Sequence, residues 1–182
     1  MTFMKRSLSI FAAIFLLAAV AAAQRTTFPG LTPAAKKELD AAKRSLAFPL
    51  PTWLPAGFEI AAVESSLGRK VKIEDKVFSV TYRRILKDDK KQSFSITAGF
   101  DGLGDLMYDG ARTLRTGVGR VYLLYQPLDE DGKKMPNFAM TEWFSVGKTA
   151  FHYNGNVDSE DESLVMISLA DTEKILRSLK RY

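Results

Sequence analysis

Apolar and polar residues follow two different rhythms along this chain. Apolar side chains first recur at Ala35, Leu39, Ala42 and Leu46, while Lys36, Lys37, Asp40 and Lys43 lie around the other side. That spacing predicts an amphipathic helix. Thr32 offers an N-cap oxygen, and Pro33 suits the first helical position. Phe48-Pro49-Leu50-Pro51 ends the helix, because proline cannot continue one.

From Phe58 the period shortens to two. Phe58, Ile60 and Ala62 alternate with Glu59, Ala61 and Val63, and a short strand is expected over Val71–Ile73. Phe78, Val80 and Tyr82 share one face of the next strand, with Ser79, Thr81 and Arg83 on the other. After a charged hairpin loop at 87–91, Phe94, Ile96, Ala98 and Phe100 alternate with Ser93, Ser95 and Thr97, the clearest strand pattern in the chain. Residues 101–110 read as a turn-rich excursion. Strands are then expected over Arg112–Thr116, Arg120–Gln126, Asn137–Val146 and Thr149–Asn154, with a polar loop at 127–136 and a two-residue turn at Gly147-Lys148. An acidic loop at 154–162 leads to an apolar strand at Ser163–Leu169. Asp171 then caps a last helix whose buried stripe is Ile175, Leu176 and Leu179, with Lys180 and Arg181 in its final turn.

The order is helix, a run of short strands, helix, with no βαβ alternation and no internal repeat. Sequential strands on short loops pair antiparallel, and each helical stripe needs a sheet face to cover it. The expected fold class is therefore α+β: a curved antiparallel sheet of about seven strands, with an N-terminal and a C-terminal helix packed on it.

Residues 1–23 follow a different logic. Lys5 and Arg6 precede an apolar run from Leu8 to Val20, and Ala21-Ala22-Ala23 make a small-residue cleavage site. This is the pattern of a cleavable secretory signal peptide. An uncleaved anchor is the alternative, but a stable span needs about 20 apolar residues and this run is shorter. The expected organisation is a signal peptide over 1–23, a flexible lead over 24–31 and a single domain over 32–182. The product is expected to be exported, periplasmic or secreted, with no stable membrane span after cleavage.

Charge and composition narrow the chemistry. The whole chain has a formal charge of +5, but the signal segment carries two of the basic residues and no acidic one. The remainder therefore holds 24 basic against 21 acidic residues. No basic tract suits nucleic acid. There are no cysteines, which removes disulfides, thiol catalysis, iron–sulfur clusters and cysteine-ligated zinc.

His152 is the single histidine. Parity sets it on the strand face opposite Phe151 and Tyr153, so it reads as a surface residue. No G-x-S-x-G elbow is present to supply a nucleophile. One histidine without cysteine is a poor zinc set. Asp129-Glu130-Asp131-Gly132 and Asp158-Ser159-Glu160-Asp161-Glu162 gather carboxylates, but neither has EF-hand spacing, so they read as solvated loops. Gly99, Gly102 and Gly104 lack the following helix that a phosphate loop requires and read as turn glycines. No cofactor or metal is implied, and the chain reads as non-enzymatic. Trp53, Phe58, Trp143, Phe144 and Tyr153 could line a groove, although a domain without disulfides needs aromatic residues in its core. Trp143 and Phe144 are adjacent on one strand and must face opposite sides. One of them lies off the main core face, which makes the pair the candidate interaction surface.

Pro51-Thr52-Trp53-Leu54-Pro55-Ala56-Gly57-Phe58 resembles the opening "P-x-x-L-P-x-G-[FY]" of a family of bacterial extracytoplasmic domains without known function. That family occurs in exported proteins and in the outer portions of anti-sigma-type proteins. The aromatic strand at Trp143, the turn at Tyr153-Asn154-Gly155 and the ending Leu176-Arg177-Ser178-Leu179 are similar to its terminal pattern. The resemblance implies no catalytic residues. The reading is an exported envelope domain of interaction or sensory type, partnered by an envelope protein. The alternative is a carrier of an apolar ligand such as a lipid.

Overall fold

The computed structural model describes residues 27–100, 111–125, 139–155 and 163–182. The expected signal peptide, the turn-rich excursion at 101–110 and both carboxylate clusters lie outside them.

Helix α1 (Pro33–Ala42) starts as its sequence dictates. Thr32 is extended, and its Oγ1 accepts a hydrogen bond from the Ala35 amide at 3.2 Å. Ala35, Leu39 and Ala42 are buried on the inner stripe. The strands are β1 (Pro49–Pro51), β2 (Glu59–Ser65), β3 (Phe78–Ile85), β4 (Lys91–Gly99), β5 (Ala111–Thr116), β6 (Gly119–Tyr125), β7 (Ala139–Thr141), β8 (Phe144–Val146) and β9 (Thr149–Asn154). Helix α2 (Leu169–Arg177) and strand β10 (Leu179–Arg181) follow.

Among the described residues the main sheet has eight strands in the order β2-β3-β4-β9-β7-β6-β5, with β8 paired to β9 off that path. Every ladder is antiparallel. The sheet is open, with β2 and β5 at its edges. Its inner face carries Phe78, Val80, Tyr82, Phe94, Ile96, Phe151 and Tyr153, all fully buried. Against that face lie the stripe of α1, Ile175 and Leu176 of α2, and Leu50 and Leu179 from the β1–β10 ribbon. The fold is two-layer α+β. Tyr82 and Tyr153 stack on Phe94 at 4.7 and 5.2 Å, and burial pushes both phenols well above their ordinary range.

Several local expectations are corrected. The described end of the lead, residues 27–31, is docked: Phe28 meets the Tyr182 ring at 5.1 Å, and the Gly30 carbonyl accepts from the Ile60 amide. Val71–Ile73 forms no strand. Ser163–Leu169 is not a strand either. β9 covers β4 only over Ser95–Gly99, so the start of β4 is left open, and Ser163–Val165 bonds to Lys91 there in a single parallel bridge. Gln92 fastens this segment by donating to the Met166 carbonyl at 2.9 Å. Ser168, rather than Asp171, caps α2, through its Oγ and the Asp171 amide.

The last helix also ends earlier than its apolar spacing suggests. Ser178 closes it, and Leu179–Arg181 turns into a strand paired with Pro49–Pro51. Two prolines in three residues argue against a strand, yet β1 is short and has one partner, so each missing amide costs no ladder bond on its other side. The join is reinforced by Ser178, whose carbonyl accepts from the Thr52 amide and hydroxyl and whose Oγ accepts from the Trp53 amide. The two stretches that carry the family resemblance therefore meet in space.

Candidate functional site

The sequence expects one strand over Asn137–Val146, and Asn137 and Phe138 lie outside the described residues. The described part is broken between β7 and β8. Thr141 and Phe144 are both buried, at 0% and 6% exposure, although three positions separate them. Their partners on β9 are two apart: the Tyr153 amide donates to Thr141 Oγ1 at 2.9 Å, and Phe144 sits opposite Phe151. One extra residue has been inserted, which is a β-bulge. The bulge sends Glu142 and Trp143 outward together. Glu142 is exposed, and Trp143 is half-buried on the sheet face away from the helices.

There Trp143 meets His152. Their ring centroids are 4.5 Å apart at an interplanar angle of 45°. His152 lies on the outer face, as strand parity requires, but it is half-buried rather than a free surface histidine. Burial under the indole holds its imidazole below the usual histidine range. Trp143 Nε1 and His152 Nδ1 are both out of contact with solvent and have no hydrogen-bond partner among the described residues.

Hydroxyl and aromatic groups surround the pair. Thr97 stands opposite His152 on β4, and its hydroxyl is 3.0 Å from that of Ser79 on β3. On the other side, Met140 pairs with Leu124, which is buried outside the main core cluster. Tyr122, 39% exposed, follows on β6, its carbonyl held by the Glu142 amide. Of the two expected surface residues, only Trp143 lies on this face. Phe144 belongs to the core, 6.5 Å from the Phe151 ring.

The pairing of Trp143 with His152 was available from the turn. A two-residue hairpin at Gly147-Lys148 sets Val146 against Thr149 and Phe144 against Phe151. One further step outward places Trp143 against His152. Trp53, the other tryptophan, is 38% exposed and lies beneath the Lys174 ammonium, 5.5 Å from its ring, far along the chain from the bulge. Two open grooves flank α1. One of about 330 Å3 lies between α1 and β2, lined by Ala34, Ala35, Glu38 and Ile60. Among the described residues, no group of three or more histidines, cysteines or carboxylates could hold a metal, and no helix is long and apolar enough to cross a membrane.

No protein-family model, curated protein or solved structure matches this chain.

Proposed function

We propose that this protein is an exported, non-enzymatic domain of the cell envelope that binds a protein partner through the outer face of its sheet, centred on Trp143 and His152. The observation that carries the reading is this tilted ring pair, whose Trp143 Nε1 and His152 Nδ1 have no hydrogen-bond partner among the described residues. Indole Nε1 can only donate, and a buried donor without an acceptor is costly. A rotation of the indole that uncovers Nε1 would let a backbone carbonyl from a partner strand or loop satisfy it. Tryptophan in a partly desolvated setting ringed by polar groups is also the usual anchor of a protein interface.

The non-enzymatic part rests on His152. A histidine acting as general base is held in one tautomer by an acid at its other nitrogen. No carboxylate bonds His152 Nδ1 among the described residues. The resemblance to extracytoplasmic domains and the signal-peptide pattern of residues 1–23 support the location.

Native mass spectrometry of the protein recovered from its own exported fraction tests the reading. A stoichiometric protein partner that is lost on Trp143→Ala is the expected result. A retained apolar small molecule would replace the proposal with a carrier role. A bare monomer in which Trp143→Ala changes nothing would end it.

A further inference from the structure

A second feature lies at one end of the sheet. The connection between β2 and β3 projects as a closed loop over Ser66–Val77. Its neck is tied twice: the Ser66 amide donates to the Val77 carbonyl at 3.0 Å, and the Val77 amide donates to Ser66 Oγ at 2.9 Å. Inside it, tight turns bond the Arg69 amide to the Ser66 carbonyl, and the Asp75 and Lys76 amides to the Lys72 and Ile73 carbonyls. Leu67 roots the loop against the core. The loop therefore has a built conformation.

Its surface chemistry is unusual. Ile73 is 53% exposed and Val77 37% exposed. Around them Arg69, Lys70, Lys72 and Lys76 are all exposed, against Glu74 and Asp75. Lys72 spends part of its charge on Glu74, at 3.2 Å. The antiparallel registers bring the β8–β9 turn, with exposed Lys148, to the same end of the sheet, across β3 and β4. The β5–β6 turn, flanked by the directly opposed Arg115 and Arg120, also lies at that end. Each strand step rotates the sheet by roughly 20–25°, so that hairpin looks elsewhere; the loop's own side chains form the local patch.

We propose that this loop docks the protein on an anionic phospholipid surface. Ile73 enters the headgroup layer, and the basic collar meets the lipid phosphates. An exposed apolar side chain on a loop whose four basic residues outnumber its two acidic ones fits an interface that is negative outside and apolar within. A soluble acidic partner would use the charge and leave Ile73 in water. Docking of this kind needs no membrane-spanning segment.

The test uses the protein from residue 24 onward, which holds the whole described core, with the signal segment removed because it would itself bind lipid. Co-sedimentation is measured with vesicles of phosphatidylglycerol mixed with phosphatidylcholine and with phosphatidylcholine alone. Binding is expected to the anionic vesicles only, falling as salt rises. Lys70→Gln, Lys72→Gln and Lys76→Gln should each weaken it about fivefold, and Ile73→Asp on the order of tenfold. Lys43→Gln, at the C-cap of α1, should leave it unchanged. Absence of binding, equal binding to neutral vesicles, or indifference to the loop variants would overturn the proposal. Trp143→Ala should not affect sedimentation, so this inference and the partner-binding reading fail separately.

Discussion

The Trp143 indole and the His152 imidazole lie 4.5 Å apart, centre to centre, while the next residue after Trp143 is buried in the core. A one-residue bulge creates this division. It lets a single short segment supply both a packing residue and an outward aromatic, and it sets the histidine beneath the outward one.

The two neighbours should therefore respond differently to truncation. Phe144→Ala removes a buried ring and is expected to cost about 3–5 kcal/mol. Trp143→Ala removes a half-buried one and should cost less than about 1.5 kcal/mol. Urea unfolding of both variants measures this. A Trp143 variant as unstable as the Phe144 variant would make Trp143 a core residue.

His152 gives stability a pH dependence of known sign. Its folded pKa is depressed by burial, against about 6.5 when unfolded. As the pH falls, the unfolded chain binds the proton first. Stability from this group is therefore full above the unfolded value and is lost as pH drops below it toward the native one. With a single histidine in the chain, the decline in unfolding midpoint from about pH 7 downward should flatten in His152→Gln. Parallel slopes for the two proteins would contradict the assigned burial.

Leu179 and Lys180 are neighbours on β10 with opposite exposure. Leu179 is fully buried, and Lys180 is exposed. Leu179→Ala should lower stability by about 2–5 kcal/mol, whereas Lys180→Ala should stay within about 0.5 kcal/mol. Equal losses would mean that β10 contributes through its backbone alone.

Gly117 tests how closely the β5–β6 turn sits on that strand. A Cβ there would lie 2.7 Å from the Leu179 carbonyl oxygen and 2.9 Å from Lys180 Cγ. The nearer obstacle is backbone, so it cannot swing aside. Gly117→Ala should cost about 1–3 kcal/mol by overpacking, read as a drop in thermal midpoint. An unchanged midpoint would show the turn free of β10.

The period-2 runs at Phe78–Tyr82 and Phe94–Ala98 were legible because one face of each strand carries large apolar side chains and the other small hydroxyl ones, even though Ser95 on β4 is itself buried. Thr32 was legible as a cap because its role is local. What the sequence hid was non-local. Pro49–Pro51 looks like a helix stop until Leu179–Arg181 arrives to pair with it. Leu179 keeps helical spacing with Ile175 and Leu176 although it leaves the helix, since a buried strand residue serves the same core. Ser163–Leu169 is apolar enough for a strand, but β4 offers it only the position at Lys91. The bulge at Glu142-Trp143 leaves the 143–144 alternation intact and breaks it one step earlier, where no glycine or proline marks the place. The isoleucine at position 73 reads as strand by composition and is exposed in the structure.

The β1–β10 ribbon has a consequence for how the chain is made. Pro49–Pro51 waits for partners about 130 residues later. Tyr182 then stacks on Phe48 at 5.3 Å, and its hydroxyl donates to Asp40 on α1; burial first, and then this carboxylate, push the phenol pKa up to about 12. Synthesis delivers the amino-terminal residues first, so α1 and β1 emerge without the strand that completes their layer. Leu179–Tyr182 acts as a latch. Until Leu179–Arg181 arrives, the inner face of the sheet stays uncovered along this seam, and a nascent chain stalled before those residues would present that apolar seam to chaperones and proteases.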